Sequence, residues 1–465
     1  MGESYPQNER CARSIAVGSG IIPGMTNRPF PSAFVPHSAP FEIASAEGAY
    51  LVTPDGRRIL DAAGGAIVGN IGYGRQEVAD VAAKALMELT YVVPPFGAPS
   101  RARLVERLVS NWLPEGLTRA TFTSGGTESV ESAMRLARQH HVASGREGRW
   151  KIIGTDLSYH GVSLGALSVG GHAGRRKGLD PMLIPFPKVR APYSLEAATG
   201  HLSPDPRETA ADALEELILR EGVDTVAAFI AEPVIGAAGG AVPPPANYWP
   251  RVREICSKHG VLLIADEVMS GFGRTGKNFA VDHWDVVPDI MVGGKGLSGG
   301  YAPIGGVYAS EEVVAPLAAL HEDLMFYTFQ GHPASCAIAD KVLEIMEREE
   351  LVARAAKMGT QLREKLRVLE SHPNVAEVRG MGLLLGVELV KNKETLERFP
   401  ASARLSGAVS TEGLRRGVFF YPGGSGVAQD VVMMGPPFII NGEDIDIMVG
   451  MLAESIDAAV ARASS

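Results

Sequence analysis

From residue 120 onward the chain is a succession of short apolar runs separated by helical segments, and this alternation narrows the fold more than any other feature. The runs lie at 120–123, 151–154, 182–186, 226–231, 261–265 and 289–292. Apolar runs this short, alternating with amphipathic helices, predict an α/β domain: a mostly parallel central sheet with helices on both faces. Polar groups stand just past the runs. In order they are Ser124-Gly125-Gly126-Thr127-Glu128, Ser158-Tyr159-His160-Gly161, Glu232, Asp266-Glu267 and Lys295. Open α/β sheets bind ligands at the carboxyl ends of their strands, so groups from five runs are expected to meet in one crevice.

The flanking segments read differently. Residues 1–48 are rich in Pro, Gly and Ser and read as an arm lying over the body. Residues 49–53 and 59–61, joined through Asp55-Gly56, carry the signal of a β-hairpin. Helices are predicted from about Gln76 to Leu89 and from about Ser100 to Asn111. Beyond residue 328 the pattern becomes helices at 333–349 and 351–370, strands at 375–379 and 383–390, a helix at 405–416, strands at 418–421 and 431–434, and a terminal helix from Glu443. This is not strict βα alternation, and it predicts a smaller α+β domain. The expected organisation is an arm and hairpin over 1–60 packing with the small domain, a large domain over 61–328, and the small domain over 329–465.

Length and charge exclude some partners. At 465 residues, with 45% hydrophobic and 21% charged content, the chain can build more than one core. A net charge of −9 argues against nucleic acid or an anionic membrane as partner. No apolar run reaches the ~18 residues a membrane helix needs. The amino terminus lacks the apolar stretch of a signal peptide, and three cysteines without metal-ligand spacing suit a reducing compartment, so a cytoplasmic location and no metal are expected.

Each polar group has a bland reading and a chemical one. Ser124 to Thr127, between a strand and a helix, would serve equally as an N-cap or as a phosphate cradle of free backbone N–H groups. Asp266 ends an apolar strand, where a carboxylate is costly unless it meets a cation or donor; a helix cap or ion pair would do, and so would a protonated pyridine nitrogen. Tyr159 could pack or stack on a flat ring. Lys295 stands among five glycines in the run 292–300, an ordinary solvated turn unless something flat and reactive sits beside it. Taken together, the four fit pyridoxal 5'-phosphate: phosphate on a helix start, ring nitrogen on Asp266, stacking from Tyr159 and a Schiff base on Lys295.

Several segments in one order carry a family resemblance. They are 48–61 (Gly-Ala-Tyr-Leu-Val-Thr-Pro-Asp-Gly-Arg-Arg-Ile-Leu-Asp), 123–129 (Thr-Ser-Gly-Gly-Thr-Glu-Ser), 158–161 (Ser-Tyr-His-Gly), 231–234 (Ala-Glu-Pro-Val), 265–276 (Ala-Asp-Glu-Val-Met-Ser-Gly-Phe-Gly-Arg-Thr-Gly), 293–296 (Gly-Gly-Lys-Gly), 328–333 (Thr-Phe-Gln-Gly-His-Pro) and 379–383 (Arg-Gly-Met-Gly-Leu). From about residue 40 the chain resembles a class III, ω-aminotransferase-like enzyme of the fold type I pyridoxal-phosphate group. The resemblance implies an aminotransferase that moves an amino group from a primary amine or ω-amino compound to a keto acid by a ping-pong mechanism. It implies Lys295 as Schiff-base lysine and proton shuttle, Asp266 as partner of the ring nitrogen, and Val268 on the ring face opposite Tyr159. Gly125, Gly126 and Thr127 would hold the phosphate, Glu232 would sit near the ring oxygen, and Thr328 would reach the cofactor of the neighbouring subunit. A homodimer is the smallest assembly implied, with a tetramer open.

Where relatives carry an arginine for the acceptor's carboxylate, this chain has Met433 and Tyr421, neither able to make a bidentate pair. The carboxylate would then fall to an arginine of the arm or of a partner loop, or the pocket would prefer amines with little charge near the reacting carbon. Rival readings remain: an aminomutase or decarboxylase on the same scaffold, and a serine hydrolase using Gly161-Val162-Ser163-Leu164-Gly165 as a nucleophile elbow. His321-Glu322 lacks the second histidine of a zinc-protease motif.

Overall fold

The computed structural model describes residues 42–318 and 326–464; most of the expected arm and His321-Glu322 lie outside them. The central sheet has seven strands in the order Leu117–Thr123, Gly305–Ser310, Ile290–Gly293, Leu262–Asp266, Val226–Ala231, Lys151–Thr155 and Lys188–Val189. Gly305–Ser310 is antiparallel to both neighbours, and the remaining pairs are parallel.

Successive residues of one strand bury on opposite faces, which is why these runs are apolar throughout rather than alternating. Ile152, Ile230 and Ile264 pack under the helix Gly126–Ala143 with Val130, Met134 and Ala137. Their neighbours Ile153, Phe229 and Leu263 pack on the other face against Leu214, Trp249 and Ile255.

Two sequence expectations need correction. The run 182–186 is not a strand: a 3₁₀ turn, Asp180–Met182, precedes it and the edge strand is Lys188–Val189. Pro185 and Pro187 remove the amide donors a ladder needs. The predicted helix to Asn111 is α-helical over Pro99–Arg107 and closes in a π-helical turn, Leu108–Trp112.

The carboxyl-terminal part forms a four-stranded antiparallel sheet in the order Val375–Met381, Leu384–Leu389, Ala428–Met434, Tyr421–Ser425, packed on the helices Leu351–Leu366, Leu405–Arg415 and Gly442–Ser464. The hairpin strands Tyr50–Val52 and Arg58–Asp61 pair antiparallel, with Gly56 in the left-handed region at φ +84°. Their sheet is completed by Ser45–Glu47 on one side and by a parallel pairing with Val418–Phe419 on the other. Among the described residues no helix is long and apolar enough to cross a membrane.

Candidate active site

The carboxyl ends of five sheet strands open on one cavity of about 160 Å³. Gly126 and Thr127 line it from one strand end, Tyr159, His160 and Gly161 from the next, and Glu232, Asp266 and Lys295 from three more; Val268 and Met269 complete the wall. At least one residue from each of the five expected groups meets here, brought together from separate strand ends.

Asp266 is buried at the last position of its strand. Its Oδ2 accepts from Nδ1 of His160 at 2.7 Å and its Oδ1 from the amide of Val268 at 3.1 Å. Burial works against the charged form of His160, yet the Asp266 carboxylate outweighs it and raises the imidazole above its ordinary value. Nε2 of His160 is buried without a partner. His160 belongs to a segment read from the sequence, but no role was expected of it. The 106 residues separating it from Asp266 leave no local signal of the pairing.

Glu232 accepts from the amides of Tyr159 and Gly236, each at 2.9 Å, and burial pushes its carboxyl up to about 7. Lys295 opens a 3₁₀ turn after its strand with φ +40°, a left-handed conformation that costs a side-chain-bearing residue energy. Burial pulls its ammonium down to about 8 against the opposing pull of Glu232 and Asp266. Its Nζ has no hydrogen bond or ion pair among the described residues.

The flanking glycines serve the protein's own packing. A Cβ on Gly293 would lie 2.9 Å from Phe272, and one on Gly299 would lie 2.5 Å from Oδ1 of Asn70. Two side chains crowd the anion end similarly. A Cβ on Gly126 would stand 2.7 Å from Cγ1 of Val268, and one on Gly161 would stand 2.6 Å from Oγ1 of Thr127. Gly126 begins the helix Gly126–Ala143, and no side chain of Gly125 caps its free N–H groups. A helix start of this kind favours an anion. Val268 and Tyr159 line the space between, with the edge of His172 against Tyr159 at 5.9 Å. The cavity therefore suits a flat cationic heteroaromatic ring with an anionic tail and a carbonyl within reach of an amine.

Other candidates lie elsewhere. Gly125 precedes the helix without lining the cavity, and Thr328 is exposed away from it. Glu267 turns into the core, accepting from Ser270 at 2.5 Å and from the amide of Val281 at 2.8 Å. Ser163 precedes a short helix, Leu164–Val169, and its hydroxyl donates to Glu131 rather than to a histidine, which removes the hydrolase arrangement. Met433 is fully buried with Met269 and Ile67, and it faces Tyr421 across the strand pair. Among the described residues no cluster of His, Cys, Asp or Glu is placed to hold a metal.

Comparison with known proteins agrees with this chemistry. The family model described as aminotransferase class III matches residues 34–456. A putrescine–pyruvate aminotransferase of Pseudomonas aeruginosa is 34% identical, covering 90% of this chain and 91% of its own, and a γ-aminobutyrate transaminase of Solanum lycopersicum is 32% identical, covering 88% and 79%. The crystal structure of an (S)-enantioselective ω-transaminase from Thermomicrobium roseum superposes with a TM-score of 0.85 at 37% identity, over 90% of this chain and 92% of that one. The chain belongs to the class III aminotransferases, with the fold type I architecture and the transfer of an amino group from an amine to a keto acid that go with that family.

Proposed function

We propose that the protein works with pyridoxal 5'-phosphate in this cavity, as a homodimer, and takes its amino group from a primary amine or ω-amino compound in a ping-pong cycle. The observation that carries the reading is Lys295: a lysine depressed to about 8, without an ion pair, in one cavity with the buried Asp266. Bound there, the cofactor supplies an electron sink for the charge left when the carbon beside the transferred nitrogen loses its proton.

The chain's residues do the rest. Asp266, oriented by His160 and the Val268 amide, sets negative charge opposite the ring nitrogen. Lys295 Nζ takes the proton at the reacting carbon and passes it on, which only its neutral form can do. Glu232 anchors the backbone of Tyr159, so that Tyr159 and Val268 keep water from the two ring faces. The N–H groups at Gly126 and Thr127 hold the phosphate. Two relatives, named for putrescine and for γ-aminobutyrate, support the ω-amino class.

Exposed apolar side chains support the dimer. Phe326 and Phe329 stand in solvent on either side of Thr328 in the chain, Tyr91 and Phe96 are exposed too, and Tyr91 meets Phe329 edge-on at 6.3 Å. Thr328 then serves a cavity other than its own.

Borohydride treatment of the purified holoprotein is expected to fix the cofactor irreversibly on the peptide containing Lys295. In Lys295→Ala borohydride should fix none, and turnover should fall at least about a thousandfold. Label on another residue would overturn the assignment.

A further inference from the structure

Resting on the transaminase reading above, the observations point to how the acceptor is recognised. Two adjacent arginines occupy the turn Ala173–Arg176, and they differ in use. Arg176 is spent on the fold: its guanidinium donates to the carbonyls of Leu167 at 2.5 Å and Gly170 at 3.1 Å, and to Asp180 at 3.1 Å. Arg175 is exposed, and its guanidinium has no hydrogen bond or ion pair among the described residues.

The turn stands at the mouth of the cavity. Its leading residue, His172, rests edge-on against Tyr159, and the amide of Arg175 donates to the His172 carbonyl at 3.0 Å, one turn away. On its other side, Cβ of Ala173 lies 3.9 Å from where a Cβ on Gly426 would stand, at the tip joining Tyr421–Ser425 to Ala428–Met434. Arg175 thus sits between the wall residue Tyr159 and the hairpin that bears Tyr421 and Met433. Burial raises the Tyr159 hydroxyl, and Arg175 is the strongest charge opposing that rise, which agrees with this placement.

Three other arginines are committed. Arg379 pairs with Glu377 and Glu388 and donates to the Gly239 and Gly240 carbonyls. Arg398 serves Glu388, Tyr193 and the Val427 carbonyl. Arg274 donates to three carbonyls, those of Gly69, Leu383 and Pro436. Met433, where relatives have an arginine, is fully buried in the apolar cluster that holds Met269 and against which Tyr421 packs.

We propose that Arg175 binds the carboxylate of the acceptor, and that the acceptor is a small monocarboxylic 2-oxo acid because the described cavity lining offers no arginine for a second carboxylate. Arg175 is a specificity-determining residue in this arrangement and moves no proton itself.

The test follows the second half reaction of the amino form of the holoenzyme spectrophotometrically, with pyruvate, 2-oxoglutarate and the uncharged aldehyde hexanal as acceptors. The parent enzyme is expected to favour pyruvate over 2-oxoglutarate by at least about tenfold in kcat/KM. Arg175→Ala should raise KM for pyruvate at least about tenfold and leave hexanal within about twofold, and Arg175→Lys should fall between. Unchanged pyruvate kinetics in Arg175→Ala, a parallel loss with hexanal, or a parent preference for 2-oxoglutarate would each overturn the proposal while the transaminase reading stands. A parent enzyme that fixes no cofactor on Lys295 and converts no acceptor overturns that reading and this proposal together.

Discussion

At Lys295 the chain pays twice for one side chain, in a left-handed backbone and in a buried amine. Strain of this sort costs on the order of 1–3 kcal/mol and persists where the surroundings fix it. The sequence made the lysine conspicuous through its glycines, but those glycines answer to Phe272 and Asn70, neighbours distant in sequence. The amine's depression has a kinetic sign. A cation lowered to about 8 releases its proton at lower pH than an exposed lysine, so the neutral base accumulates as pH rises toward 8. The rate of the keto-acid half reaction, which needs no free amine substrate, is expected to climb with pH through about 8 and to level off above it; a limb still rising near pH 10 would contradict it. Gly126 is a second such position. In Gly126→Ala the new methyl meets Val268 at 2.7 Å and drives that side chain into the ring's space. Cofactor affinity should fall at least about tenfold, and Val268→Ala added to it should restore part of the loss, since the two act through one contact. Equilibrium dialysis of the single and double variants reads this; equal affinity in the two would show that the contact does not matter.

Single strands explain what could be read and what could not. Leu262–Asp266 and Val226–Ala231 are buried on both faces and announce themselves as continuous apolar runs. Gly305–Ser310 escaped notice because Gly305 and Gly306 give it no run. The structure explains them: a Cβ on Gly306 would lie 2.3 Å from the Tyr308 hydroxyl, and one on Gly305 would lie 2.4 Å from Oγ of Ser129. Asp266 and Glu267, adjacent in sequence, were equally eligible for the cavity, and strand alternation separates them. Burial pushes the Glu267 carboxyl up to about 8, so the folded protein holds a proton there that the unfolded chain releases. This contribution to stability is fully present below about pH 4.5, the ordinary value, and is lost as pH rises through about 8. One such proton changes stability by up to about 1.4 kcal/mol per pH unit. In Glu267→Gln, which keeps an acceptor for the Val281 amide, denaturant unfolding between about pH 5 and pH 8 should lose about one proton's worth of slope. An unchanged slope would place the titration elsewhere.

Across the whole molecule the cavity is finished by parts far apart in sequence. The buried Arg274 fastens carbonyls at 69, 383 and 436 together, and Arg379 reaches from the small sheet to the carbonyls of Gly239 and Gly240. Such contacts, like the pairing of Arg58–Asp61 with Val418–Phe419, span hundreds of residues and carry no local pattern. Subunit sharing lies beyond any single chain, yet it yields the sharpest test at this scale. If Thr328 serves the partner's cofactor, Lys295→Ala and Thr328→Arg disable the same site through different subunits. Each homodimer alone should be nearly inactive. After mixing and subunit exchange, a heterodimer holds one cavity with its own Lys295 and an intact Thr328 from across the interface, beside one cavity lacking both. Random exchange of equal amounts makes about half the dimers mixed, so activity should return to about a quarter of the parent's. If Thr328 served its own chain's cavity, both cavities of the heterodimer would stay damaged and mixing would recover nothing. Sedimentation of the mixture, with one variant carrying a cleavable mass tag, verifies that exchange has occurred, so that a failure to recover counts against the shared site.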